Sequence, residues 1–168
     1  MIIKGPDTPS IIIGVQAGQA RDVLDVAAAL AKRLGAGMVC VTADPSLLST
    51  GSRTDGSAII EPIDPDTADT SPRELPEADR ALVEEIAAGH GVPVEVRTLV
   101  GDPARALAAA ADERDAVMIV VGTRTGRRRT AEFFNGSVAA RLTHQQHRPV
   151  LVVPTNPVGF DDPLPWDA

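Results

Sequence analysis

Ser10-Ile11-Ile12-Ile13-Gly14-Val15 is the stretch that decides the fold of this 168-residue chain. Its three consecutive isoleucines are not interrupted by charge, a pattern typical of a strand buried on both faces, as in a parallel sheet. A short loop follows, and apolar side chains then recur at helical spacing over residues 20–34. Gly35-Ala36-Gly37 ends this helix, because glycine suits a left-handed C-cap. With an apolar run over 38–42, the first part of the chain predicts a β-α-β unit.

The alternation of strands and helices continues to the end of the apolar sequence. The further predicted elements are a helix over 76–88, a strand over 92–100, a helix over 103–114, a strand over 116–121, a helix from Gly136 to about 147 and a strand over 149–154. Strands that alternate with helices of this length indicate parallel βαβ units with right-handed crossovers. The predicted fold class is therefore α/β: a doubly wound, Rossmann-like sheet of five parallel strands with helices on both faces.

Two segments depart from this pattern. Residues 43–74 contain four prolines, many Ser and Thr and few large apolar side chains, with a short apolar piece at 58–60. We expect a long polar loop there that cannot anchor itself and is mobile without ligand, and that acts as a lid because it follows the second strand. Residues 155–168 form a Pro-rich acidic tail, so the α/β domain is expected to span residues 1–154.

Composition excludes several classes of function. The net charge is −7 and aromatic residues make up 2% of the chain, so neither nucleic acid nor an anionic membrane is an expected partner. No stretch approaches the roughly 20 apolar residues of a membrane span, and the first residues do not resemble a signal peptide. We therefore expect a cytoplasmic protein. Cys40 is the single cysteine, which excludes an internal disulfide and a CxxC metal site.

Glycine-rich turns follow two of the predicted strands. Gly14-Val15-Gln16 ends the first strand, and Gly122-Thr123-Arg124-Thr125-Gly126 ends the fourth. Gly136-Ser137 then opens a helix, and Arg124 and Arg127 belong to the densest basic cluster of the chain. Glycines allow a ligand to approach the backbone, and a helix start attracts anions.

Each of these features has a structural explanation when it is taken singly. The glycines can be turn residues, Ser137 an N-cap and the arginines a solvated face. Their combination at the carboxyl ends of strands, where doubly wound sheets bind ligands, predicts a site for an anion such as a phosphate chain. Neither a P-loop motif nor a nucleophile elbow occurs in the sequence, so the predicted site is of another type.

The same residues resemble the nucleotide motif of the universal stress protein family. That motif is Gly, two residues, Gly, nine residues, Gly, and then Ser or Thr. Gly126, nine residues, and Gly136-Ser137 match it, and Arg148-Pro149-Val150-Leu151-Val152-Val153-Pro154 also looks like the family. The resemblance spans residues 10–154 and is weak over 43–74.

The resemblance implies a strand order of 3-2-1-4-5, a cytoplasmic role in stress tolerance and, as in many members, bound ATP. It also implies a binding or regulatory protein rather than a catalyst. By the same resemblance, Ser137 and Val138 would hold phosphate or ribose through their backbone groups, and Val41 on the second strand would touch the base.

Two departures from the family pattern concern the nucleotide. Three residues, instead of two, separate Gly122 from Gly126, and Gln16 stands where ATP-binding members usually carry an Asp that contacts adenine. We expect ATP to bind with poorer base selectivity, since a glutamine amide both donates and accepts hydrogen bonds. The alternative is a dimeric interaction protein on the same fold that binds no nucleotide. An ATP hydrolase ranks third, because the loop contains a single acid, Glu132, although slow hydrolysis is not excluded.

A homodimer is expected from the last strand. Val150–Val153 is apolar, is bounded by Pro149 and Pro154, and falls at the edge of the sheet in the implied strand order. An open apolar edge invites pairing with another chain, and a two-fold partner is the commonest solution.

Overall fold

The computed structural model describes residues 8–18, 21–123, 135–155, 157 and 159–163, with only the backbone for 135–137. Within these residues the elements follow in the order β1 (Ser10–Gly14), α1 (Arg21–Leu34), β2 (Gly37–Asp44), β3 (Leu47–Ser52), β4 (Ala58–Pro62), α2 (Glu77–His90), β5 (Val94–Val100), α3 (Pro103–Glu113), β6 (Met118–Gly122), α4 (Asn135–Gln145) and β7 (Val150–Val153). Each helix and each strand of the predicted α/β alternation is present, with ends shifted by a few residues.

The main sheet has five parallel strands in the order β5-β2-β1-β6-β7. Counted along the chain within this sheet, the order is 3-2-1-4-5, as the resemblance implies. Ile13, at the centre, lies opposite Cys40 on β2 and Val120 on β6. The strand order reverses between β1 and β6, and the carboxyl ends of these two strands therefore border the crevice that such sheets use for ligands.

The isoleucine run of β1 forms part of both layers of the core. Ile11 and Ile13 pack with side chains of α1 and α2 on one face of the sheet. Ile12 packs with side chains of α3 and α4 on the other face. All three are completely buried, and each contributes about 1.5–3 kcal/mol through burial. The doubly covered sheet predicted from this run is confirmed.

Residues 43–74 contain a β-hairpin, so the prediction of a long polar loop is wrong for residues 47–62, whereas residues 63–74 contain neither helix nor strand. β3 and β4 pair antiparallel, with Leu47 opposite Pro62 and Ser52 opposite Ala58. Leu47 is 2% exposed and provides the apolar anchor that the sequence was expected to lack. The hairpin was missed because β3 contains Ser, Thr and Gly after its two leucines and β4 has only a short apolar piece, so neither strand shows a clear hydrophobic period. Mobility in the absence of ligand stays a prediction.

The start of α3 confirms a local prediction. Asp102 is the N-cap and accepts a hydrogen bond from the Arg105 backbone amide at 3.0 Å, and Pro103 occupies the first turn. α4 begins at Asn135, one residue before the predicted Gly136. Both helices therefore direct their amino-terminal turns toward the carboxyl end of the sheet, as parallel βαβ connections require.

Candidate functional site

Three predicted site residues lie near one another at the end of the sheet where β1, β2 and β6 terminate. Gly14 ends β1 and lies opposite Val41 of β2. Gly122 ends β6, on the other side of β1, and lies opposite Val153 of β7. Since the strand order reverses between β1 and β6, these positions surround the expected ligand crevice.

Gly14 has a packing function that the sequence did not show. A Cβ atom built there would lie 3.1 Å from Leu107 Cδ1 and 3.3 Å from Val121 Cγ1. Such distances are tighter than most real Cβ contacts, so the missing side chain lets α3 approach β1 closely. The space beside Gly14 is occupied by the core under α3, and a ligand contact of this residue stays a prediction.

Val15, the residue before Gln16, connects the end of β1 to Val41 of β2. The Val15 backbone amide donates to the Val41 carbonyl oxygen at 2.9 Å, which extends the β1–β2 pairing past the end of β1. Gln16 is the next residue and is exposed. The Val41 side chain is buried in the core between the sheet and α3. Its predicted contact with a base stays a prediction.

Several predicted site residues belong to the loop between β6 and α4. Arg124, Gly126 and Arg127 lie outside the described residues. Gly136 and Ser137 are described as backbone in the first turn of α4, where amide groups have no partner within the helix.

Val138 fixes the position of the α4 start. Its side chain is half-buried and packs against the core cluster that contains Val41 and Val121. The amino-terminal turn of α4 is therefore held against the sheet face that carries Gly14.

An ion pair joins the start of α3 to the middle of α4. Asp102 accepts a hydrogen bond from Arg141 of α4 in addition to the bond from the Arg105 amide. Burial raises the pKa of Asp102, but the Arg105 amide and the Arg141 guanidinium outweigh burial and hold this pKa below its usual range. Asp102 is thus ionised at neutral pH and is a structural cap.

Asp44 is a buried acid at the end of β2 that sequence reasoning missed. It is 4% exposed and accepts hydrogen bonds from Ser46 and from the Arg73 backbone amide. Burial raises the pKa of Asp44, while the bonds from the Ser46 hydroxyl and the Arg73 amide prevail and lower it. The Asp-Pro-Ser spacing was a visible signal for the local turn, but nothing in the sequence marks Arg73 as its partner.

The loop after β6 is tied to the first residue of the predicted tail. The Thr123 amide donates to the Val153 carbonyl oxygen at 2.8 Å, and the Thr155 amide donates to Thr123 Oγ1 at 2.7 Å. Thr155 Oγ1 donates in turn to the Thr123 carbonyl oxygen. Thr155, 7% exposed, is thus part of the packed domain.

Some chemistry is absent from the described part of the chain. No group of three or more His, Cys, Asp or Glu side chains there is placed to hold a metal ion. Burial raises the pKa of the Cys40 thiol to about 12, so this side chain is a core residue and not a nucleophile. Over the same residues, none of the helices has the length and apolar character needed to cross a membrane.

Comparison with known proteins agrees with this architecture. The model of the universal stress protein family matches residues 9–154. No curated protein sequence matches. A universal stress protein solved in complex with cAMP is 23% identical, with a TM-score of 0.57, over 89% of this chain and 98% of that chain.

Two further solved structures share the fold. A universal stress family protein from Burkholderia pseudomallei is 25% identical, with a TM-score of 0.54, over 90% of this chain and 100% of that chain. The Archaeoglobus fulgidus universal stress protein in complex with dAMP is 22% identical, with a TM-score of 0.52, over 87% of this chain and 97% of that chain. Because the family model covers most of the sequence, the chain belongs to the universal stress protein family.

Proposed function

We propose that this protein binds an adenine nucleotide, ATP or a related one, at the carboxyl ends of β1, β2 and β6, and acts as a regulatory stress-tolerance protein in the cytoplasm. The observation that carries the proposal is the position of the α4 start. Val138 holds this turn against the sheet face of Gly14 and Val41. The amides of Gly136 and Ser137, which have no partner within the helix, would therefore supply a phosphate site beside the crevice.

Relatives give independent support for the ligand class. The two solved universal stress proteins described above contain dAMP and cAMP. Both ligands combine an adenine base with a phosphate, which are the two groups that the predicted site has to recognise. Phosphate recognition is the better supported half for this chain, because the Gly136-Ser137 motif is intact whereas the position expected to contact adenine is Gln16.

Gln16 is expected to weaken base selectivity. A carboxylate can only accept from the adenine amino group, while the Gln16 amide can accept from adenine or, when turned over, donate to a keto oxygen such as that of guanine. A charge-assisted hydrogen bond is roughly twice as strong as a neutral one, so ATP affinity should also fall modestly relative to an Asp-bearing protein. The exposure of Gln16 at the end of β1 is consistent with this role.

Titration calorimetry with ATP, AMP and GTP tests the proposal. We expect the wild type to bind ATP below millimolar concentration and Gln16→Asp to raise the ATP/GTP affinity ratio. Ser137→Pro should bind ATP more weakly, because proline has no amide hydrogen and is tolerated in the first turn of a helix. Gln145→Asp, an exposed change at the end of α4, is the matched control and should leave the ratio unchanged. The site assignment fails if the wild type binds no nucleotide at millimolar concentration. An unchanged ratio in Gln16→Asp refutes the selectivity argument alone.

The second candidate is a dimeric interaction protein that binds no nucleotide. The observation in its favour is the extra residue between Gly122 and Gly126, which alters the phosphate loop. Acid extraction of freshly purified protein distinguishes the two. Near-stoichiometric release of adenine nucleotide supports the first candidate, and nucleotide-free protein that also fails the titration supports the second.

Binding rather than catalysis is part of the proposal. Asp44 and Asp102, two described acids at this end of the sheet, are both engaged in structural hydrogen bonds. Phosphoryl transfer needs a metal holder and a group that orients water, and neither acid is free for these tasks. Phosphate release from ATP should therefore stay at the rate of the buffer control, and turnover above that rate would contradict this part.

We also propose that the protein is a homodimer that pairs through β7. β7 is an edge strand of four apolar residues, and Val152 is 39% exposed. Pairing with the β7 of a second copy would cover this edge.

A further inference from the structure

Asp44 connects three segments of the chain that are distant in sequence. Its Oδ1 accepts from the Ser46 amide at 3.0 Å and from Ser46 Oγ at 2.6 Å, and its carboxylate also accepts, through Oδ2, from the Arg73 amide at 2.9 Å. Its carbonyl oxygen accepts from the Gly101 amide at 2.9 Å. Gly101 has φ +93°, a conformation that favours glycine, and stands directly before the Asp102 cap of α3.

These bonds close the base of the β3–β4 hairpin. Ser46 directly precedes β3, and Arg73 lies beyond β4 on the way to α2. The Ile63 amide also donates to the Ser46 carbonyl oxygen at 2.9 Å, so both arms of the hairpin are bound near Asp44. The Asp44 carboxylate also accepts from Arg73, which lies after the hairpin in the segment that leads to α2.

A second Asp-x-Ser turn shows what is special at Asp44. Asp55, in the turn between β3 and β4, accepts from the Ser57 amide at 2.8 Å and from Ser57 Oγ at 2.6 Å. Both bonds use Oδ1 and stay within the turn, and Asp55 is exposed. The two turns therefore have the same local geometry, and they differ in burial and in the bond from Asp44 to Arg73.

We propose that the Asp44 carboxylate is a clasp that holds the β3–β4 hairpin closed at the end of β2, three residues beyond Val41. An ionised carboxylate has two acceptor oxygens, which the clasp requires because its bonds use both. With the clasp open, the hairpin loses its connection to Arg73, so its ladder of backbone bonds opens more often. The base of the hairpin then moves relative to the end of the sheet, while the sheet itself stays intact. This proposal does not depend on nucleotide binding.

Amide hydrogen exchange followed by mass spectrometry tests the clasp. Asp44→Asn keeps the shape of the side chain but leaves one acceptor oxygen, so either the Ser46 or the Arg73 bond is lost. We expect exchange over residues 47–62 and at Arg73 to become about 10- to 100-fold faster, as the loss of a buried charge-assisted hydrogen bond implies. Exchange in β1 and β6 should not change.

Asp55→Asn is the matched control. Its single acceptor oxygen still serves both Ser57 bonds, so exchange should change less than about 2-fold. The clasp is refuted if Asp44→Asn exchanges like the wild type or like Asp55→Asn. It is also refuted if the acceleration spreads equally to β1 and β6 in a folded protein.

Ser46→Ala is a second variant that tests the clasp if Asp44→Asn does not fold. This change removes the 2.6 Å hydroxyl bond and leaves both amide bonds to the carboxylate. We expect a smaller acceleration, about 3- to 10-fold, confined to residues 47–62. Unchanged exchange in Ser46→Ala, or equal acceleration across the sheet, overturns the proposal.

Discussion

The two edges of the main sheet are built from opposite chemistry. At the β5 edge, Arg97 forms a forked pair with Glu113 at 3.1 Å, and Arg114 of the α3 C-cap bonds Glu95 at 2.6 Å. Arg97 also approaches Glu95 at 3.8 Å, so the four charges alternate in sign along one network. At the other edge, β7 is four consecutive apolar residues, Val150–Val153.

This difference indicates which edge is available to another chain. A charged edge resists strand addition, because pairing would bury ions that already have partners, whereas an apolar edge gains by being covered. The β5 edge is therefore closed by its own ion pairs, and β7 is the edge expected to pair. The side chains that attach the two edge strands to the rest of the domain differ as well. The ion pairs of β5 are partly exposed. β7 begins beside the Arg148 side chain, which is only 10% exposed.

The largest expected effect concerns the dimer. Val152→Lys places a cation on the proposed interface of each copy, and the like charges should weaken dimerisation by about 100-fold or more. Light scattering across micromolar concentrations should then show a dimer for the wild type and a monomer for the variant. Thr98→Lys on β5 is the control and should leave the mass unchanged. A monomeric wild type, or a dimeric Val152→Lys, would remove β7 as the interface.

A smaller effect is expected at the start of β7. Arg148 Nε donates to the Ala116 carbonyl oxygen at 2.9 Å, and its guanidinium pairs with Asp112 and Asp115. Arg148→Ala leaves that carbonyl without its donor and removes a nearly buried side chain, so the free energy of unfolding should fall by about 2 kcal/mol. Urea denaturation measures this loss. Arg33→Ala, an exposed change at the end of α1, is the control, and an equal loss in both variants would contradict the anchoring role.

The equivalent change at the β5 edge should matter less. Arg114→Ala removes a pair whose side chains are 25% and 30% exposed, and we expect it to lower the free energy of unfolding by about 1 kcal/mol. Added salt screens such partly exposed pairs, so the difference from the wild type should shrink at 1 M NaCl. A loss as large as that of Arg148→Ala, or one that does not respond to salt, would contradict the distinction between the edges.

The smallest expected effect depends on pH and compares the residues that follow the two edge strands, β5 and β7. Asp102, after β5, has a pKa held below its usual range, so its ionised form stabilises the folded state. This contribution is fully present above the unfolded pKa, about 3.9, and is lost as the pH falls through the lower folded pKa. Asp102→Asn keeps a capping oxygen and should cost roughly 0.5 kcal/mol at pH 7, because the Arg141 pair is half-exposed. The cost should shrink as the pH falls below about 3.9.

Thr155→Val is the counterpart at the end of β7. It removes a hydroxyl that bonds Thr123 and involves no titrating group, so its loss of stability should be the same at both pH values. Urea denaturation of both variants at pH 7 and at about pH 3, below the ordinary pKa of Asp, measures this contrast. A pH-independent Asp102→Asn, or a pH-dependent Thr155→Val, would show that the two ends are not stabilised as described.

Much of the fold could be predicted because its signals are local. The isoleucine run of β1 and the Asp102-Pro103 start of α3 carry their information within a few residues, as periodicity and capping do. The β3–β4 hairpin gave a weaker signal, because only its Asp55-Gly56 turn is local and neither of its strands alternates regularly between apolar and polar residues.

The candidate site was predicted in part for the same reason. Gly14, Val41 and Gly122 are brought together because parallel strands place their carboxyl ends at one end of the sheet, which follows from the order of elements, and because the strand order that the resemblance implies makes their strands neighbours. That Gly14 is needed for the approach of Leu107 could not be predicted, since it depends on how closely α3 packs.

The sequence by itself determined a doubly covered parallel sheet, the start of α3 and the Asp-x-Ser turns, because each of these depends on residues within one or two turns of chain. Tertiary structure alone decided that the Asp44 carboxylate reaches Arg73 whereas Asp55 bonds only locally, and that Arg148 lies against Ala116. Hydrogen bonds of this second kind join positions about 30 residues apart. The partners of these bonds depend on how the helices and strands pack together, and a local sequence pattern contains no information about that packing.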